Sequence, residues 1–215
     1  MRRCWCHAVM SAWLGVELVG QSGTDPEEKR RWQAECERAG GDCASRAEAL
    51  VLRLWPAQVA RRGDTLRIFT AAGEVGFRDL PAQSTHHRYL GLLERSGQHL
   101  LWQRFSDGDR FLLLSDRTAQ HTVVHGLPRL SPDHRSLLVV GDELEAHTPA
   151  LALFRIEAGQ LTPEFVTLNC PAVRYHFLGW NGPEQAQLET RRADGLPACP
   201  PQRALSRQAG GWHLS

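Results

Sequence analysis

The sequence has almost no lysine and no excess of charge of either sign. Lys29 is the only lysine among 25 basic residues, which face 24 acidic ones in a chain of 215 residues. A balance of this kind creates no field that would steer nucleic acid or acidic lipid to the protein. The arginine pairs are scattered and lack interleaved aromatic residues, so we predict no nucleic-acid partner. The preference for arginine is typical of codon usage in a GC-rich bacterial genome.

Motifs that would announce catalysis or a cofactor are missing as well. The sequence contains no H-E-x-x-H, phosphate-binding glycine loop or dinucleotide fingerprint, and no G-x-S-x-G elbow between a strand and a helix. Of the ten histidines, His86 and His87 are adjacent and His121 and His125 lie four apart, neither of which makes a ligand pair on a strand. We therefore predict no catalytic, cofactor-binding or metal-ligating residue, and each histidine is expected at the surface or in a local hydrogen bond.

The N-terminus has the pattern of an export signal. Arg2 and Arg3 precede a mostly apolar run over residues 4–20, and small residues follow at Gly20, Ser22 and Gly23. This order of basic, apolar and small residues predicts a signal peptide over residues 1–22 and a periplasmic or secreted protein. The alternative is a buried N-terminal helix of the mature domain, because His7 and Glu17 interrupt the apolar run. The run is too short and too polar for a stable membrane span.

The cysteine count agrees with export. Removal of residues 1–22 would take away Cys4 and Cys6 and leave an even set of four, which allows three disulfide connectivities. Gly40 and Gly41 would let the chain fold back sharply between two of them, and this favours one bridge between Cys36 and Cys43 and a second between Cys170 and Cys199. Zinc is disfavoured because no C-x-x-C pair is present. Free thiols remain an alternative.

A helical segment precedes a β-rich body. Thr24 and Glu27 form a capping-box pattern with Pro26 between them, so residues 25–39 are predicted to be helical, with a second short turn at residues 45–50. We assign residues 23–50 to an N-terminal helical segment and residues 51–215 to an antiparallel β domain. The predicted strands cover residues 51–55, 64–70, 74–80, 88–93, 98–105, 110–114, 121–124, 135–140, 150–156, 161–168, 173–180, 185–190 and 211–214.

The spacing of these strands predicts an all-β fold of antiparallel meander sheets, arranged as propeller-like blades or as a sandwich. The clearest alternation is at residues 173–180, where Val173, Tyr175 and Phe177 should share one face and Arg174 and His176 the other. A weak repeat with an offset of 50 residues relates residues 127–140 to residues 177–188 and suits blades of about four strands.

One segment resembles a known family. Asp116, Thr118 and Pro128, followed by Ser131-Pro132-Asp133, match the blade junction of periplasmic WD-like propellers of the Tol-system type, with His134 in place of the usual glycine. The resemblance covers about 26 residues and implies a propeller-like fold in the periplasm. The proline and the side chains of Ser131 and Asp133 predict a structural turn, with no part in ligand binding.

Two functions are consistent with these observations. The first is an exported, non-enzymatic binding or interaction module that presents loops of its β scaffold to a protein or another cell-envelope component. The second is an exported hydrolase-type enzyme whose site assembles only in three dimensions, for example from His176, Asp133 and a hydroxyl group. A concave pocket with a histidine–carboxylate pair would favour the enzyme, and a shallow surface with an apolar rim would favour the module. We expect the module.

Overall fold

The computed structural model describes residues 43–141, 149–168, 173–192 and 204–215. The prediction of an all-β protein built from antiparallel meander sheets is confirmed, since within these ranges one α-helix and two short 3-10 helices accompany four antiparallel sheets. The chain divides into two compact units, with the boundary between His121 and Thr122. The predicted signal peptide, the helix at residues 25–39 and three of the four bridge cysteines (Cys36, Cys170 and Cys199) lie outside the described residues.

The helix α1 covers Cys43–Leu54, and the strand predicted at residues 51–55 is wrong. A short apolar run cannot by itself distinguish a strand from a buried helical turn. Here the run continues an alanine-rich segment with high helix propensity, and Pro56 follows the last turn. Val51 is completely buried in the core as a helical residue. No helix among the described residues is long and apolar enough to cross a membrane.

The N-terminal unit holds the first strands, which form hairpins in sequence order. The first sheet has the order β1-β2-β3 and the second the order β4-β5-β6-β7, with the unit boundary inside β7. The bounds of these strands are β1 Val59–Arg62, β2 Thr65–Thr70, β3 Gly73–Arg78, β4 His86–Leu93, β5 Gln98–Arg104, β6 Asp109–Ser115 and β7 His121–Val124. Side chains of α1 and of the first two sheets form one core, which includes Val51, Leu66, Ile68, Tyr89 and Leu101.

The C-terminal unit repeats the same plan. One sheet has the order β8-β9-β10-β11 and the other the order β12-β13-β14-β15. The bounds are β8 Pro128–Leu130, β9 Ser136–Val140, β10 Pro149–Glu157, β11 Gln160–Leu168, β12 Val173–Trp180, β13 Gln185–Arg192, β14 Ala204–Gln208 and β15 Gly211–Leu214. Leu138, Leu151, Leu153, Leu188 and Leu205 are among the buried side chains of its core. The predictions missed β1, β8 and β14 and found the other strands to within three residues at each end.

Candidate functional site

Five charged or titratable side chains of the N-terminal unit meet beside α1, and we call them the ion cluster. Glu48 comes from α1, Arg61 from β1, Asp79 from the residue after β3, and His87 and Arg88 from the start of β4. Glu48, Asp79 and His87 are all less than 10% exposed. Buried charges are found in proteins only where partners compensate them. The partners of each group therefore decide what the cluster can do.

Asp79 accepts hydrogen bonds on both carboxylate oxygens. Oδ1 accepts from the backbone N–H of His87 at 2.7 Å and lies 3.2 Å from Nδ1 of the same residue. Oδ2 accepts from Nη1 of Arg61 at 3.1 Å and from Nη1 of Arg88 at 3.3 Å. Burial alone would raise the pKa of Asp79, but the bond from His87 and the charges of Arg61 and Arg88 outweigh it and hold the pKa below its ordinary value. Asp79 is therefore a weak base.

Glu48 ties α1 to two strands. Its Oε1 accepts from Nη2 of Arg61 at 2.8 Å and from the backbone N–H of Tyr89 at 3.0 Å, and its Oε2 lies 3.8 Å from Nε of Arg88. Arg88 also donates to the hydroxyl of Ser45 at 3.2 Å, so a second residue of α1 takes part. The cluster contains two guanidinium and two carboxylate groups and is neutral as a whole while His87 is uncharged. Its hydrogen bonds and ion pairs hold α1 against β1 and β4.

The hydrogen bonds around His87 define its protonation. Nε of Arg110 donates to Oε1 of Gln103 at 2.8 Å, which orients the amide so that its Nε2 donates to Nε2 of His87, also at 2.8 Å. The proton of the imidazole must then be on Nδ1, where it is donated to Asp79. Burial lowers the pKa of His87 and outweighs the opposing effect of Asp79. His87 is therefore neutral, with both ring nitrogens occupied.

We expect acid to destabilise the N-terminal unit through His87 and Asp79. Because the pKa of His87 is lowered in the folded chain, the unfolded chain takes up a proton first, and stability falls as the pH drops below about 6.5. The pKa of Asp79 is lowered too, so a further loss sets in as the pH drops below about 4. Denaturant unfolding measured across this range tests both steps.

The variant His87→Gln should remove part of the loss near pH 6 and leave the loss near pH 4. A remainder near pH 6 is expected, because burial also lowers the pKa of His99. A slope between about pH 7 and pH 5 that is identical in the variant and the parent protein would contradict the assignment.

A cavity of about 270 Å³ opens next to the ion cluster. Its wall on the α1 side carries Ser45, Glu48, Ala49 and Leu52, and the other lining residues are Arg61, Gly63, Asp79 and Arg88. His87 does not line it. The buried Nε of Arg61 has no hydrogen-bond partner among the described residues. A water molecule or a single acceptor oxygen would satisfy this donor.

A second buried network lies nearby in the same unit. The hydroxyl of Tyr89 lies 2.9 Å from Nδ1 of His99, whose Nε2 lies 3.3 Å from Oδ1 of Asp116. Tyr89 and His99 are completely buried, and burial raises the pKa of Tyr89 well above its ordinary value. The order tyrosine, histidine, aspartate suggests a proton relay. Only Asp116 reaches solvent, so the network holds β4 and β5 together without access for a substrate.

His176 and Asp133, which the sequence suggested as parts of one catalytic site, lie outside the ion cluster. His176 is opposite Glu189 in the pairing of β12 with β13, and no hydrogen bond joins it to Asp133 within the described residues. Asp133 is used in its turn, where Oδ1 accepts from the hydroxyl of Ser131 at 2.6 Å and from the backbone N–H of Arg135 at 3.1 Å. The hydrogen bonds predicted for this turn are present, and its structural role stays a prediction. The triad suggested from His176 and Asp133 is not assembled.

The sequence reasoning missed Glu48, Arg61 and Asp79. One signal was present, since Glu48 lies three residues before Val51 and so on the buried face of a helix. That signal disappears when Val51 is taken as part of a strand.

The predicted disulfides are not tested by the structure. Cys43 is the first residue of α1, and the disulfides stay a prediction. In the described part of the chain, no three histidine, cysteine or acidic side chains are grouped so as to hold a metal ion.

Comparison with known proteins gives no relative for this chain. No family model matches it, and neither the curated proteins nor the solved structures contain a match.

Proposed function

We propose that the protein is an exported, non-enzymatic binding or interaction module that acts on a protein or another component of the bacterial cell envelope. The observation that carries the proposal is the full occupancy of Asp79 and His87 within the ion cluster. Both oxygens of Asp79 and both ring nitrogens of His87 are occupied by internal partners. The ion cluster therefore serves to fasten α1 to the sheets, and the exposed turns between strands are left as the surface for a partner.

The scaffold and the N-terminal sequence support this assignment. Meander sheets of three or four strands hold their turns on a rigid frame, and such turns carry recognition in many β proteins. The resemblance of residues 116–134 to the blade junctions of periplasmic WD-like propellers and the signal-like pattern of residues 1–22 favour an envelope location. The bridges Cys36–Cys43 and Cys170–Cys199 belong to the same proposal, because they need an oxidising compartment.

Two measurements on the full chain in a native host test location and binding. N-terminal sequencing of the mature protein should give a start between Gln21 and Asp25, whereas soluble cytoplasmic protein that begins at Met1 or Arg2 would refute export. The purified protein, immobilised and exposed to envelope extract, should retain a partner. That partner, once purified itself, should bind in a saturable titration. Absence of saturable binding would refute the module.

We expect Asp133→Ala to separate folding from binding. The substitution removes the acceptor for the hydroxyl of Ser131 and the backbone N–H of Arg135 and should lower the free energy of unfolding by about 1 kcal/mol. Partner binding at low temperature should be unchanged, because the turn has a structural role. The comparison requires the melting temperature and the titration on the same preparation. An unchanged melting temperature with abolished binding would reverse the assignment.

A hydrolase-type enzyme is the second candidate, favoured by the Asp79–His87 pair close to a cavity. As a general base, His87 would need a free lone pair on Nε2, and the amide of Gln103 occupies it. Catalysis would thus require the side chain of Gln103 to swing away. Turnover of model esters, amides or glycosides that is lost in His87→Gln and retained in Asp133→Ala would establish the enzyme and refute the module.

A further inference from the structure

Among the described residues, strand β3 is an edge of the first sheet. It pairs with β2 over its whole length, from Thr70 opposite Gly73 to Thr65 opposite Arg78, without a bulge. Three other outer strands of the described sheets, β4, β11 and β12, carry features that hinder pairing with another chain. Pro163 lies within β11, and register shifts interrupt the pairing of β4 and β12. A regular strand of six residues that ends a sheet is the type of edge to which another strand can add.

Two hydrogen bonds define which backbone groups of β3 point outwards. The N–H of Phe69 donates to the carbonyl of Gln58 at 2.8 Å, so Phe69 turns its polar groups towards β1 and away from Glu74, its neighbour on β3. The N–H of Asp79 donates to the carbonyl of Asp64 at 2.7 Å, continuing the ladder one step beyond β3. Since the direction alternates along a strand, Gly73, Val75 and Phe77 bond to β2.

The remaining residues, Glu74, Gly76 and Arg78, therefore direct their N–H and carbonyl groups away from the sheet. All three are exposed, and their backbone groups have no hydrogen-bond partner within the described residues. Gly76 also leaves the outer face of the strand without a side chain, so another backbone can approach closely at this point.

The pattern of β3 is complementary to itself. When a second copy is placed antiparallel with the two-fold axis at Gly76, the glycine faces its own equivalent and Glu74 faces Arg78 of the second copy. All the outward groups then face each other, and each such pair can exchange both of its N–H···O=C bonds. An isologous contact of this kind closes after two copies.

The charges agree with this register. Arg67 lies 3.3 Å from Glu74 across the hairpin, and Asp64, in the turn before β2, lies 3.0 Å from Arg78, and both ion pairs are exposed. Pairing would extend these two exposed ion pairs into one row of alternating sign, because Glu74 of one copy adjoins Arg78 of the other. On the opposite face, Val75 would adjoin Phe77 of the second copy and prolong the apolar surface. A shift by one residue in the position of the axis, to Val75, places Arg78 opposite Ala72 and forms no ion pair.

We propose that two copies of this chain associate through antiparallel pairing of β3 about Gly76, which joins their first sheets into one continuous sheet. The partner is a second copy because both the backbone pattern and the charge pattern match themselves. The proposal does not depend on the proposed function.

Sedimentation velocity of the full chain over a range of concentrations tests the pairing. The protein should form dimers that weaken as the salt concentration rises, because the ion pairs are exposed. Glu74→Arg and Arg78→Glu should each raise the dissociation constant about tenfold, since two facing pairs change from attraction to repulsion. The double variant should restore association. Glu184→Arg makes the same charge change in an exposed turn and is the matched control, expected to leave the dimer unchanged.

Gly76→Pro provides an independent variant. It removes an outward N–H that β2 does not use, so the hairpin should still fold while the dimer is lost. Hydrogen exchange adds a residue-level readout, in which the amides of Glu74, Gly76 and Arg78 should exchange rapidly in dilute protein and slowly in concentrated protein. A protein that stays monomeric at millimolar concentration would overturn the proposal. So would a dimer indifferent to Gly76→Pro and to both charge reversals, or slow exchange of these amides in the monomer, which would mean that another part of the chain covers β3.

Discussion

Replacing Asp79 by alanine is expected to lower the free energy of unfolding of the N-terminal unit by about 3–5 kcal/mol. The loss is large because the carboxylate is buried and accepts from Arg61, Arg88 and the backbone N–H of His87, all of which would be left without that acceptor. Denaturant unfolding followed by tryptophan fluorescence measures it, because Trp55 packs edge-on against Tyr89 at a ring distance of 6.5 Å and reports on the attachment of α1.

Asp107→Ala is the matched control, since Asp107 is exposed in the turn between β5 and β6 and its loss should change stability by no more than about 0.5 kcal/mol. Asp79→Asn keeps the shape and one acceptor oxygen, so it should fall between the two. If Asp79→Ala and Asp107→Ala were equally stable, the ion cluster would not be what holds α1 in place.

Gly126→Ala is expected to destabilise the C-terminal unit by at least about 3 kcal/mol. A methyl group on residue 126 would overlap the carbonyl oxygen of Val140 and lie 3.3 Å from the Cα of Gly141. These neighbours are backbone atoms at the end of β9, so no side chain can rotate to make room. The strand would have to move, and the pairing of Val140 with Leu151 on β10 would be disturbed. Thermal and denaturant unfolding of the purified variant measure the effect.

Gly179→Ala gives the comparison. A methyl group at that position meets nothing within 4 Å, so the variant should differ from the parent protein by no more than about 0.5 kcal/mol. Equal stability of the two alanine variants would show that the approach of residue 126 to β9 is not tight.

Turn chemistry and alternation predicted much of the β structure because both are local. Ser131 to Asp133 forms the expected turn, and the hydrogen bonds are those that the side chains suggested. On β12, Tyr175 is buried and Arg174 is exposed as predicted, but a register shift between Phe177 and Gly179 interrupts the alternation. A bulge of this kind depends on the neighbouring strand, which the pattern of one strand does not contain.

Local sequence patterns could not predict the ion cluster, because its members are far apart in the chain. Glu48 accepts from the N–H of Tyr89 across 41 positions of the chain, and Arg61 joins Asp79 across 18. Strand β1 was missed because its charged residues Arg61 and Arg62 hide the alternation that marks a strand. The position of Arg61 makes sense only once the two carboxylates that bind it are known. Burial of a charged side chain is a tertiary property, and composition cannot reveal it.

Because the N–H of Tyr89 donates to Glu48, hydrogen exchange at this one amide reports on the opening of α1. The N–H of Tyr89 is held by a side chain of α1, and exchange with solvent requires Glu48 to leave. Departure of α1 would release Arg61 and Arg88 in the same event, so the helix should open as one cooperative step before the sheets unfold. The exchange rate of this single amide therefore gives the free energy of that opening. The difference between that free energy and the one for complete unfolding is the stability that the sheets retain on their own.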